Sequence, residues 1–237
     1  MFINEKIDVI LHGKTLFYPC SGSDCNEIFY YFANSINTFW FSDISYSSKE
    51  SINGKIKLLK QNQLKLSGCG TKILPYTPLP KGVTNCKDIH PKLYVRKYKR
   101  CSNDSELQVN LRYGCAQFTL NHFKDSEIGV FIHRGDGMVS GEGSSNVMFL
   151  GNRKRRYEAV NNLWNKLYTK LADEALIISD GSNTAFKHLK KYHNKHDVTG
   201  EEIYNGIEDF EGHGLLWKCV GYASNKYGPT FVWKVKK

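Results

Sequence analysis

Short apolar runs recur along this chain, and each stops on small or acidic residues. Thr15-Leu16-Phe17-Tyr18 leads into Pro19-Cys20-Ser21-Gly22-Ser23-Asp24, and Thr38-Phe39-Trp40-Phe41 stops at Ser42-Asp43. Ile128 to Ile132 stops at His133-Arg134-Gly135-Asp136, and Ala175 to Ser179 at Asp180-Gly181-Ser182-Asn183. Runs of this length bounded by turn residues read as strands buried on both faces. Between the first two, Ile28, Phe29, Phe32 and Ile36 recur at helical spacing. They predict a helix over Asn26 to Ile36, with Asp24 or Asn26 as its N-cap. Strand, tight turn, helix, strand and acid is the order of a βαβ unit that holds an adenosine-type ligand.

Elsewhere the pattern is mixed. Phe2 to Leu11 reads as a short leading helix or strand. Ile44 to Pro91 has no clear period, and the prolines at Pro75, Pro78 and Pro80 exclude a regular helix there, so the stretch reads as an insertion or lid. Leu93 to Lys99 and Glu106 to Leu111 alternate as strands. They form a hairpin across Arg100 to Ser105, or else the second belongs to the main sheet. Ala116 to Phe123, Tyr157 to Ala172 and Thr184 to Tyr192 are expected helices, the second carrying Val160, Leu163, Trp164, Leu167 and Leu171 on one stripe. Leu215 to Tyr222 and Thr230 to Val235 alternate around Gly228-Pro229 and predict an antiparallel pair closing the sheet. The expectation is an α/β chain, 1–237 as a single domain with an insertion at about 45–105.

Composition narrows the function classes. With 41% hydrophobic and 13% aromatic residues the chain can bury a sizeable core, so global disorder is excluded. It has no apolar run near the roughly 20 residues that span a bilayer, and MFINEKIDVILHGK is a poor signal peptide, so a cytoplasmic location without a membrane is expected. Seven irregularly spaced cysteines without a CxxC pair argue for free thiols rather than a structural zinc site. The net charge of +10, clustered at Arg96 to Arg100, Arg153 to Arg156, Lys187 to Lys195 and the C-terminal lysines, makes nucleic acid a candidate partner beside a nucleotide-type small molecule.

The candidate chemistry lies at the strand ends, because ligands of open parallel sheets bind beyond the C-terminal ends of the strands. Around Ser21, Gly22, Ser23 and Asp24, small side chains and backbone N–H groups can approach a ligand closely. Asp43, 21 residues beyond Gly22, has the two acceptor oxygens that suit a ribose diol. His133 is a candidate general base, Arg134 an anion clamp, and Asp136 and Asp180 further acids at the same edge. The Gly141-to-Asn146 loop lacks the Lys-Ser/Thr pair of a P-loop, and no nucleophile elbow accompanies Ser182.

This order resembles the class I S-adenosylmethionine-dependent methyltransferases. Tyr18 to Asp24 resembles their first loop, Asp43 their ribose-binding acid, and Leu215 to Tyr222 with Thr230 to Val235 their closing hairpin. The resemblance implies a Rossmann-like three-layer sandwich, mostly parallel with a C-terminal antiparallel hairpin. It also implies S-adenosylmethionine over Ser21 to Ser23 and Asp43, and His133 or Asp136 beside the methyl acceptor. The chain departs from the family in its single first-loop glycine, in His133-Arg134-Gly135-Asp136 where an Asn/Asp-Pro-Pro-aromatic motif is usual, and in the long segment from Ser45 to Pro91. Two other readings fit these residues: another nucleotide-handling hydrolase or transferase using Asp136 and Asp180, and a non-catalytic nucleotide- or nucleic-acid-binding protein.

Overall fold

The computed structural model describes residues 2–3, 11, 13–19, 21, 25–43, 64–74, 92–113, 119–133, 166–179, 200–223 and 230–237. Their strands, in chain order, are β1 (Phe2–Ile3), β2 (Thr15–Pro19), β3 (Thr38–Asp43), β4 (Leu64–Ile73), β5 (Lys92–Arg100) and β6 (Glu106–Tyr113). There follow β7 (Ile128–His133), β8 (Leu171–Ser179), β9 (Phe210–Gly212), β10 (Leu215–Ala223) and β11 (Thr230–Lys236). The helices are α1 (Cys25–Phe32) and α2 (Gly200–Asn205).

All eleven strands join one sheet in the order β1-β10-β11-β8-β7-β2-β3-β6-β5-β4, with β9 also on β10. The middle five, β6, β3, β2, β7 and β8, are parallel. On one flank β11 lies antiparallel between β8 and β10; on the other, β5 and β4 add two antiparallel strands. β3 lies on one side of β2 and β7 on the other, so the direction of strand addition reverses at β2.

Alternation sends the side chains of the central parallel strands into two apolar clusters, one on each face of the sheet. Phe17, Trp40, Phe131 and Ile177 enter one cluster, with Leu120, Phe123 and Leu167 packed over them. Leu16, Tyr18, Phe39, Phe41, Val130, Ile132, Leu176 and Ile178 enter the other, beneath Ile28, Phe29 and Phe32 of α1. Trp217, Trp233 and Phe210 close the far end, their rings 5.5 to 6.1 Å apart. Each fully buried large apolar side chain contributes roughly 1.5–3 kcal/mol.

Several elements differ from the sequence reading. α1 stops at Phe32, four residues short of Ile36. The buried Arg100 captures the freed end: its guanidinium donates to the carbonyls of Ala33 (2.7 Å) and Ile36 (2.7 Å), to Asn37 Oδ1 (3.0 Å) and to Ser105 Oγ (2.8 Å). Arg100 is only 4% exposed, so it is no part of a cationic surface. The helix expected over Tyr157 to Ala172 is helical at residues 166–170, but Leu171 and Ala172 already belong to β8, where Leu171 pairs with Ile128. The two alternatives for Glu106 to Leu111 hold together: β6 pairs antiparallel with β5 and parallel with β3. The segment Ile44 to Pro91, read as an insertion or lid, contributes β4 to the sheet edge, beside the expected strand β5. The helix over Thr184 to Tyr192 lies outside the described residues.

Candidate functional site at the carboxyl edge of the parallel strands

Because β2, β3, β6, β7 and β8 are parallel, their C-terminal ends share one edge of the sheet. Pro19 pairs with Ser42, Ser42 with Arg112, Asp43 with Tyr113, and His133 with Ser179. Asp43 and His133, two of the residues singled out from sequence, therefore end strands on the same edge. Ser21 lies there too: its backbone N–H donates to the Ser42 carbonyl at 3.3 Å, tying the turn after β2 to the end of β3. Gly22, Ser23, Asp24, Asp136 and Asp180 lie outside the described residues, as does Arg134.

This edge is lined by buried hydroxyls. Ser21, Ser42, Ser179 and Thr230 are all 2% exposed or less. Thr230 joins them because β11 runs antiparallel, which brings its first residue to the end of β8: the next residue, Phe231, pairs with Ser179. Ser42 Oγ and Thr230 Oγ1 have no hydrogen-bond partner among the described residues. A buried hydroxyl without a partner costs about 1–3 kcal/mol, so such groups mark places where water or a ligand completes the bonding.

Beside Ser42 the strand pairing assembles a polar cluster that the sequence reading did not single out. Gln108, Asn110 and Arg112 alternate along β6 with the apolar Leu107, Val109 and Leu111. Since both faces of this strand are covered, the polar set is interior too: Asn110 is 0% and Arg112 3% exposed. Arg112 donates to Thr119 Oγ1 at 2.6 Å, and Gln108 Nε2 to Asn110 Oδ1 at 2.8 Å. His122 stacks on Trp40, 6.4 Å between centroids and 6° from parallel. Burial first, and then the Arg112 charge, pull its pKa down to about 4, so the imidazole is neutral at neutral pH. The signal for this cluster is the regular polar alternation of Gln108, Asn110 and Arg112. It has the same form as a strand with one solvated face, and only the covering segment distinguishes the two.

Cys219 is buried and pushed up to about 12 by desolvation, and Cys25 is buried as well. No helix among the described residues is long and apolar enough to cross a membrane.

No protein-family model and no curated protein sequence matches the chain. It is similar to several solved structures over nearly its whole length. Trm1 from Pyrococcus horikoshii, in complex with S-adenosyl-L-methionine, is 12% identical with a TM-score of 0.42, covering 98% of this chain and 53% of that one. An rRNA methylase from Streptococcus thermophilus is 9% identical with a TM-score of 0.38, covering 98% and 91%. Precorrin-6y C5,15-methyltransferase from Geobacter metallireducens is 10% identical with a TM-score of 0.37, covering 97% and 86%. The strand order and pairing of this chain rest on its own backbone hydrogen bonds.

Proposed function

We propose that this chain is a divergent methyltransferase-like protein that binds S-adenosylmethionine at the carboxyl edge of its parallel strands. The observation that carries the reading is the reversal of strand order at β2, with the turn after β2 hydrogen-bonded through Ser21 to the end of β3, one residue before Asp43. Open parallel sheets bind ligands at such a reversal, where loops on the two sides diverge and leave a crevice. The hydroxyls of Ser42 and Thr230, without a hydrogen-bond partner among the described residues, support a polar occupant there. The same reading takes the two-sided burial of the sheet as a Rossmann-like three-layer sandwich with β10 and β11 as its closing hairpin. It takes residues 1–237 as one domain, with the segment at about 45–105 as an elaboration of the sheet edge.

In this proposal Gly22 and Ser23 offer backbone N–H groups to the amino-acid part of the ligand, while Ser21, whose own N–H is held by the Ser42 carbonyl, fixes the start of the turn beside it. Asp24 joins them as a cofactor-binding residue, and Asp43 accepts both ribose hydroxyls. When bound, S-adenosylmethionine supplies an electrophilic methyl group. The chain's own residues then act mainly by holding the acceptor in line. His133 takes a proton where the acceptor must lose one, and Asp136 and Asp180 orient the imidazole or the acceptor.

Titration calorimetry and thermal shift against S-adenosylmethionine, S-adenosylhomocysteine, NAD and ATP test the proposal. The two S-adenosyl compounds are expected to bind and stabilise the chain. Asp43→Ala is expected to weaken them at least tenfold, about 1.4 kcal/mol, while leaving the unliganded melting temperature nearly unchanged. Binding of NAD or ATP with no response to either S-adenosyl compound would overturn the proposal.

A further inference from the structure

We infer that the lysine face of β4 and β5 is a docking surface for single-stranded nucleic acid. The inference extends the proposed function by naming the acceptor's class and rests on it only in that respect; the binding itself follows from the charge and shape of the sheet edge.

Between them, β4 (LKLSGCGTKI) and β5 (KLYVRKYKR) hold seven Lys and Arg residues and no carboxylate. Arg100 is consumed in closing α1. Strand alternation divides the rest: Lys97 and Lys99 share one face of β5, and the β4 register sets Lys65 directly opposite Lys99 and Gly68 opposite Lys97. Like charges facing each other across a ladder destabilise it, unless an anion lies between them. On the other side of β5, Glu106 stands opposite Lys99, but Gln108 stands opposite Lys97, so one carboxylate serves the group. Lys65, Lys97 and Lys99 are exposed and make no ion pair among the described residues.

The shape fits one extended backbone. β4 is the last strand of the sheet and is solvent-exposed along nearly its whole length. Gly68 and Gly70 lie on it without a left-handed backbone. A side chain at Gly70 would meet nothing within 4 Å, and one at Gly68 would make only ordinary contact with Lys97. Packing within the chain therefore does not require either glycine. A low strand surface is what a second backbone needs in order to approach closely. Lys72, on the same face as Lys65, pairs with Leu93; Leu93 pairs with Arg112, and Arg112 with Ser42. That register row leads from the lysine face to the candidate site. With strands about 4.8 Å apart, Lys72 lies roughly 15 Å from Ser42, within reach of a strand lying along β4.

The test uses the full chain and a fluorescent 20-nucleotide single-stranded RNA, followed by anisotropy across a salt series. The same sequence as DNA and as a duplex serves for comparison. The wild type is expected to bind single strands more tightly than the duplex. K65Q/K97Q/K99Q is expected to weaken binding tenfold or more and to lower the slope of log K against log salt by about 2, from roughly 0.7 per lost phosphate contact. K65R/K97R/K99R should restore both, which guards against a folding artefact. The charge-matched control K124Q/K218Q/K236Q, at exposed lysines elsewhere, should change affinity less than threefold. Equal weakening by the two glutamine triples, preference for the duplex, or no binding by the wild type would each overturn the inference. S-adenosylmethionine binding is measured on the same samples. Its loss from the wild type alongside intact RNA binding sinks the proposed function and spares this surface; intact cofactor binding without RNA binding does the reverse.

Discussion

At the scale of single residues, Arg100 and His122 show how position overrides residue type. Arg100 belongs to a run of cations in the sequence, yet it is buried and spends its guanidinium on two backbone carbonyls and two side chains. A planar fork can span those four acceptors, and a single ammonium cannot. Arg100→Met is therefore expected to cost about 2–4 kcal/mol in urea unfolding, because the carbonyls of Ala33 and Ile36 lose their partner, and Arg100→Lys should recover little of it. His122 carries a pH signature. Its folded pKa is near 4 against an ordinary 6.5, so between those values the unfolded chain binds a proton that the folded chain does not. Its contribution to stability is complete above about pH 6.5 and is lost as pH falls toward 4. Urea midpoints at pH 7 and pH 5 should fall further in the wild type than in His122→Asn; identical falls would show that other groups govern the acid limb.

At the scale of elements, the apolar runs with turn residues after them were the legible part. β2, β3, β7 and β8 lie within a few residues of their expected places because a strand buried on both faces has a composition that few other elements share. Ends were less legible. The stripe of the helix expected over Tyr157 to Ala172 includes Leu171, but pairing with Ile128 draws that residue into β8. β4 was not anticipated, since its glycines and exposed lysines carry no two-residue alternation; it is a strand because β5 pairs with it. Gly129 illustrates how neighbouring strands constrain one position. The β2–β7 register shifts between Thr15 and Leu16, and a side chain at Gly129 would overlap Cβ of Lys14. Gly129→Ala should therefore destabilise the chain by about 1–3 kcal/mol, read from a chemical melt. An unchanged midpoint would mean that Lys14 moves aside without cost.

At the scale of the whole molecule, the five parallel strands bring chain segments more than 150 residues apart to a common edge: Ser21, Asp43, His133 and Ser179 come from four different strand ends. A ligand seated across these ends would contact several strands at once, so its binding should raise the melting point of the entire sheet rather than of one loop. At a hundred times its dissociation constant the gain is about 2.7 kcal/mol. The candidate site was legible in so far as each strand end advertises small and acidic residues. The buried polar residues Asn110 and Arg112, with half-buried His122 beside them, were not, because nothing in β6 says whether its polar face meets water or protein.

The sequence alone determined which segments are buried strands, that α1 follows the first of them, and that cations gather around β5, since apolar run length, helical spacing and local charge are properties of neighbouring residues. The tertiary structure decided the order and direction of the strands, the burial of Arg100 and the depressed pKa of His122, and the facing of Lys65 and Lys99. Each of these depends on which distant segment lies alongside, a matter of hydrogen-bond register and packing that no local stretch of chain encodes.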